Sequence, residues 1–403
     1  MRRRPGSFGF TILLGALAAL PPLSIDMGLP AFPALERGLG TSAAGAGLTL
    51  SAFQAGFAAA QLVFGPLADR IGRRPVLLGG LALYALAGLL CAAAPSIGAL
   101  LALRLVQGAC AASGPVMALA IVRDLFTGAA ARTRLSYVAV VLSVAPIIAP
   151  AIGSVTLLLA GWRGSYGFLG VTGALLTLAA VLGVRETRVV RAPPRVLAGF
   201  ARMLRHRSAI AFALTNALSF GAMFAYISGS PLVLMGAFGL SAPVFALLFA
   251  LTSAGILVGA WVNGRLASRA VAPRLPLLLA LLAALLWTSG LLLLFALGVR
   301  SLGAIVPLLV AFSFTRGIIA PTATHGAMEP MGEIAGLASS VVGFSQMAMA
   351  ALSSGLVAVL FPLLGPVAMP LTMTGFAATA LLVWRFGDLA SGRGAPAAPV
   401  RGH

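Results

Sequence analysis

The stretch "GPLADRIGRRP", residues 65–75, places four charges between two long apolar runs. A bilayer core about 30 Å thick takes about 20 apolar residues of helix, and the runs on either side are of that order. The stretch therefore reads as a polar turn between two membrane crossings, and it sets how the rest of the chain divides.

Of 403 residues, 60% are hydrophobic and 9% charged, more apolar surface than soluble cores in a chain of this length can cover. The apolar runs are continuous and rich in Leu, Ala and Gly, without the alternation that a lipid-facing barrel strand needs. The expected class is all-α, a polytopic membrane protein. Cutting at charges, prolines and glycines gives twelve spans, near 8–30, 45–66, 76–94, 97–120, 134–158, 164–184, 208–229, 243–263, 275–297, 302–320, 335–360 and 365–385. The longest polar interruption, "RETRVVRAPPRVLAGFARMLRHR" at 185–207, holds seven Arg and separates six spans from six. It predicts an N-terminal bundle over 1–184, a cytoplasmic linker over 185–207, a C-terminal bundle over 208–388 and a cytoplasmic tail over 389–403. The second half of the linker reads either as an amphipathic helix on anionic lipid headgroups, each Arg contributing about 1 kcal/mol, or as a solvated tether.

Every basic residue apart from three His is Arg, 27 against 8 acids, for a net charge of +19. With the N-terminus cytoplasmic, 22 Arg fall on the cytoplasmic side, Arg37, Arg163 and Arg300 outside, and Arg104 and Arg316 within spans. The charge thus records orientation rather than nucleic-acid binding, and both termini are expected inside. The opening "MRRRPGSFGFTILLGALAAL" has the look of a signal peptide, but the helix continues through Asp26 and is read as the first span. Cys91 and Cys110 fall in different spans at different depths, which predicts neither a disulfide nor a metal site. His325, Glu329 and Glu333 are spaced by four, but Pro330 interrupts them, so no metal is expected there. Without Lys there is no Gly-rich phosphate loop ending in Lys, which argues against ATP-driven work. No cofactor is implied, and no facing clusters of His or acids suggest an enzyme.

Two charges inside spans carry the functional reading. Asp26, in "PPLSIDMGLP" (21–30), costs about 2.5–3.5 kcal/mol to insert at mid-membrane and is functional by default. Arg104, in "LLALRLVQGACAASGP" (100–115), lies seven residues, about 10 Å, below the outer end of its span, at a depth comparable with Asp26. An Arg there needs a carboxylate, carbonyls or water, unless it snorkels. Aromatic and weakly polar stripes suit amphipathic ligands: Phe53, Phe57, Gln61 and Phe64 on the second span, Asn216, Phe220 and Phe224 on the seventh, with Gln107 beside Arg104 and Gln346 in the eleventh. Helix packing or lipid contact is the plain alternative for each stripe. Arg316 lies near the cytoplasmic end, where snorkelling or gate pairing is expected rather than substrate contact.

The halves echo one another. "GAWVNGRLASR" (259–269), after the eighth span, is a weaker copy of residues 65–75 with Asn263 in the place of Asp69. This six-plus-six organisation, and the turn itself, resemble the major facilitator superfamily, whose signature between the second and third helices matches at Gly65, Asp69, Gly72, Arg73 and Arg74. The resemblance implies a latch: Gly65 at a close helix approach, Asp69 facing the positive start of a neighbouring helix, and Arg73 pairing with it one turn on. Gln107 and Gly108 around Arg104 fit the superfamily's intramembrane Arg motif. "LSVAPIIAPAIGS" (142–154) resembles its antiporter motif at Pro146, Pro150 and Gly153, with Ala149 where Gly is usual; a gate or a simple packing kink follows. "LSIDMGLPAFPAL" (23–35) resembles the first helix of the Bcr/CflA branch of proton-linked multidrug exporters, with Gly28 for the usual aromatic. That resemblance implies a monomeric bacterial inner-membrane antiporter exporting small amphipathic compounds. Asp26 is then the proton-coupling acid, with desolvation and the Arg104 charge acting on it in opposite senses. A structural ion pair is the alternative for Asp26; a carrier of one metabolite such as a nucleoside or amino-acid derivative, or a transporter-like sensor, is the alternative for the protein.

Overall fold

In apolar surroundings every backbone N–H and C=O must be satisfied within the segment, and the chain answers with helices. The computed structural model describes residues 7–187 and 203–390, so residues 188–202 of the linker, with most of its proposed amphipathic stretch, and nearly all of the tail lie outside the described residues. The long helices are α1 (Phe8–Asp26), α2 (Phe32–Leu39), α3 (Ala43–Ile71), α4 (Arg73–Ala92), α5 (Ile97–Ala111), α6 (Ser113–Leu125) and α7 (Gly128–Gly183). They continue as α8 (Arg207–Ser230), α9 (Ala242–Ser268), α10 (Arg274–Ala296), α11 (Leu302–Met328), α12 (Ala335–Leu364) and α13 (Ala368–Ala390). No strand occurs among the described residues.

Ten helical segments are long and apolar enough to cross a membrane, fewer than the twelve expected. The difference lies in two places. Helix α7 runs for 56 residues across a break at Ala160 and Gly161, the latter at φ 64°. Residues 336–387 form one 52-residue segment across a short 3₁₀ turn at Gly365–Val367, where Gly365 has φ 57°. The sequence placed its loops near these points, but the two breaks are too tight to separate the helices on either side. Elsewhere an expected span is interrupted: the first ends at Asp26 and continues through a 3₁₀ turn (Leu29–Ala31), and the fourth breaks at Ala112 between α5 and α6. Pro146 and Pro150 sit inside α7, whose non-helical residues are Ala160 and Gly161 and not the prolines.

Small residues set the closest packing. A Cβ on Gly56 would fall on the Leu105 carbonyl and one on Gly108 on the Phe53 carbonyl, so α3 and α5 touch backbone to backbone. Helices α1–α7 pack among themselves and α8–α13 likewise; the two sets meet chiefly along α3–α12 and α7–α9. On the first seam Ser51 Oγ donates to the Ala351 carbonyl at 2.7 Å, and Gln61 lies against Gly343. On the second, Ser154 Oγ reaches the Ala242 carbonyl at 3.0 Å. Toward the opposite, charged end the α7–α9 side loosens: none of residues 128–148 and none of 260–268 is buried.

Candidate functional site

Ser24 begins the site. Its hydroxyl donates to the Leu20 carbonyl and accepts from the Tyr84 hydroxyl, both at 2.6 Å, which fixes the last turn of α1. Its own carbonyl accepts from Arg104 Nη2 at 3.0 Å, while Arg104 Nη1 donates to Gln107 Oε1 at 2.8 Å. The guanidinium carbon stands 4.4 Å over the Phe53 ring and 5.4 Å from that of Tyr166. Arg104, 2% exposed, thus faces inward instead of snorkelling. A buried cation is served here by a carbonyl, an amide and two π faces.

Asp26, two residues past Ser24 and 3% exposed, is brought to the same region but not into an ion pair. Its Oδ1 has no hydrogen-bond partner. A structural Asp26–Arg104 pair is therefore not made in this conformation: the two Nη atoms of Arg104 are taken by Gln107 and the Ser24 carbonyl, and its Nε is buried without a partner. Asp26 stands at the junction of the two sets of helices: the Leu29–Ala31 turn just beyond it touches α9, which packs against Tyr226 of α8. The Tyr226 hydroxyl bonds Thr252 at 2.8 Å and its ring stacks on Phe249.

The stripes divide. Phe53 and Phe57 are buried with ring centroids 6.4 Å apart, and Gln61 sits at the α3–α12 seam with its Oε1 unpartnered. Gln54, on the same helix and passed over by the sequence reading, is fully buried with neither amide atom bonded. In the second set Asn216 Oδ1 accepts from Arg316 Nη1 at 2.7 Å, and its Nδ2 donates to Thr324 at 2.8 Å. Arg316 stands 5.0 Å from the Phe220 ring, which packs 4.7 Å from Phe224. Arg316 is 6% exposed, so snorkelling is not its state; the amide and the ring hold it inside. Gln346, half-buried, lies on α12 between the residues that meet Ser51 and Gln61. In the gate motif, Pro150 is buried and Pro146 half-buried, and a Cβ on Gly153 would fall on the Met27 carbonyl, one residue past Asp26.

At the charged end, Arg73 pairs with Asp69 at 2.6 Å, as the i,i+4 spacing predicts, and also with Asp124 of α6 at 3.1 Å. The helix start in this corner is that of α4, and it is taken by Glu186, whose oxygens accept from the Arg73 and Arg74 amides at 2.9 and 3.1 Å. Arg74 donates to the Val184 and Val181 carbonyls. Gly72, at φ 107°, has no room for a Cβ, which would lie 2.5 Å from Glu186. Gly65 departs from expectation: nothing lies within 4 Å of its Cβ position, and the close approach of α3 falls at Gly56 instead. Asp124 and Glu186 were missed because each is remote from residues 65–75 in sequence. Their only signal was scarcity, as two of eight acids in the chain.

No group of three or more His, Cys, Asp or Glu gathers among the described residues, and Cys91 and Cys110 are free thiols.

A chain of helices with ten membrane-length segments and charged side chains held inside between them is a polytopic membrane protein. Residues 14–354 match the Major Facilitator Superfamily model, and the chain belongs to that superfamily of membrane transporters rather than to any class of enzyme. It is 30% identical over 395 residues to multidrug resistance protein D of Escherichia coli, covering 95% of this chain and 96% of that one. It is 28% identical over 366 residues, 89% and 91% of the two chains, to a bicyclomycin resistance protein homologue of Haemophilus influenzae. Among solved structures, a POT family transporter in complex with 5-aminolevulinic acid superposes with a TM-score of 0.77 at 16% identity, over 97% of this chain and 98% of that one, a likeness of fold. Kinship with the Bcr/CflA type of transporter thus stands on relatives as well as on motifs.

Proposed function

We propose that the protein is a proton-coupled antiporter that exports small amphipathic compounds across a bacterial inner membrane by alternating access. The observation that carries the reading is Asp26: a buried carboxyl group without an ion pair, at the junction of the two sets of helices. Gain or loss of a proton there changes the charge of the wall where the two sets meet, and a change of that kind can bias which end opens. Arg104 supplies a fixed positive charge in the same region, Phe53, Phe57, Phe220 and Phe224 supply aromatic area, and Gln107 is one of the few polar groups beside it. The names of the relatives favour drugs as cargo. Residues 128–183 and 336–387 are read as two crossings each, giving twelve spans in two six-helix bundles with the charged end and both termini in the cytoplasm. At 1.5 Å per residue either segment as one straight helix would far exceed a bilayer of about 30 Å. The looser α7–α9 side at the charged end suits an inward-open state.

The test is proton movement in proteoliposomes under an imposed pH gradient, with a panel of unrelated antibiotics and amphipathic dyes. Wild type is expected to dissipate the gradient with several of them. Asp26→Asn is expected to bind the same compounds but to concentrate none, a loss of roughly tenfold accumulation per pH unit and proton. Uphill transport by Asp26→Asn at the wild-type level would remove the proton role, and response to a single chemical family would redirect the reading to a metabolite carrier.

A further inference from the structure

The sequence reading ends the tenth span at 320, but α11 runs on to Met328, which puts Arg316 near the middle of the helix. The nearer end is about 18 Å away at 1.5 Å per residue. A guanidinium carries five N–H donors and keeps its charge, so at that depth it needs acceptors. Among the described residues Arg316 has one: its Nη1 donates to Asn216 Oδ1 at 2.7 Å, with the Phe220 ring 5.0 Å away and no carboxylate paired with it. The Asn216 amide is in turn fixed by Thr324, which accepts from its Nδ2 at 2.8 Å. Phe220, Ala320 and Thr324 are half-buried while Arg316 is 6% exposed, so the site has an open side along α8 and α11 toward the charged end. A separate cavity of about 620 Å³ at that end, walled in part by Pro321, Thr322 and His325, lies on another face of α11.

The arginines of the first set show what such a group ordinarily finds. Arg73 has two carboxylates, and Arg104 has a carbonyl, an amide oxygen and two rings. Arg316 has one amide oxygen and one ring. We infer that Arg316 is the recognition point for an acidic amphiphile, with a carboxylate on the remaining donors of the guanidinium and the ring or chain of the molecule against Phe220. A carboxylate meets the planar guanidinium through two parallel hydrogen bonds and supplies the countercharge that the neutral Asn216 does not. Arg316 lies too far from either end of α11 for a lipid headgroup, so the ligand is a free small molecule. The inference names a cargo class for the exporter proposed above and rests on that reading for the fate of the ligand, but the binding step does not depend on proton coupling.

The full-length protein, in an uncharged detergent and without any gradient, is titrated with dansylglycine and with its neutral counterpart dansylglycinamide, and binding is read from dansyl fluorescence. Wild type is expected to bind the acid roughly tenfold more tightly than the amide. Arg316→Gln is expected to erase that preference by weakening the acid alone. Asn216→Asp keeps Arg316 and gives it a carboxylate of its own; it is expected to erase the preference too, and it decides the matter if Arg316→Gln does not fold. Equal affinity for acid and amide in wild type, or binding of neither, overturns the proposal, as does an acid preference that survives in folded Arg316→Gln or Asn216→Asp. An acid preference that depends on Arg316 in a protein that dissipates no proton gradient would overturn the antiport reading and leave this one standing.

Discussion

The charged ends of the two sets of helices carry similar sequence stretches, residues 65–75 and 259–269, and are built differently. In the first, Asp69, Arg73, Asp124 and Glu186 form one hydrogen-bonded cluster around the turn at Gly72. In the second, Asn263 accepts a neutral hydrogen bond from Thr322 beside an open cavity. Charge-assisted bonds are about twice as strong as neutral ones and lose much more when one partner is removed. The first end is therefore suited to hold one arrangement firmly and release it as a unit, and the second to tolerate change.

That contrast is most exposed to test at the glycines. Gly72→Val is expected to cost about 3 kcal/mol, from a β-branched residue at positive φ and from displacement of Glu186, and to reduce transport by tenfold or more. Gly264→Val, where nothing lies within 4 Å, is expected to leave melting temperature and transport within error. Equal damage at both positions would end the comparison. A smaller effect is expected from Asp124→Ala, which strips a partner from the 15%-exposed Arg73 side chain: about 2 kcal/mol, read as a melting shift of several degrees. Thr322→Val, which removes the neutral bond, is expected to cost less than about 1 kcal/mol. The smallest stability effect is expected from Asn263→Asp, which gives the second end the acid of the first. Stability should move by well under 1 kcal/mol, read as a melting shift of at most a degree or two.

Much of this was legible in sequence because it depends on local composition. A span announces itself by about 20 apolar residues, and the Asp69–Arg73 pair by its spacing of four on one helix. The breaks at Ala160–Gly161 and Gly365–Val367 were read as loops at nearly the right places, yet their tightness was not visible, since no polar insertion marks them. Arg104 and Arg316 illustrate the limit. That an intramembrane Arg must find partners follows from its chemistry; that the partners would be the Ser24 carbonyl and Gln107 in one case, and Asn216 and Phe220 in the other, depends on helices far apart in the chain.

The sequence by itself determined a polytopic helical membrane protein with a basic end and an acid within the first span, because hydrophobicity, charge and spacing act over one or two helical turns. Only the tertiary structure decided that Asp26 has no ion pair, that Glu186 closes the latch 113 residues from Arg73, and that a cavity stands at the charged end of the second set of helices. Those outcomes turn on which backbones come within a few ångströms of one another. Glycines such as Gly56, Gly108 and Gly153 set that distance, and the partner a glycine admits is not written beside it.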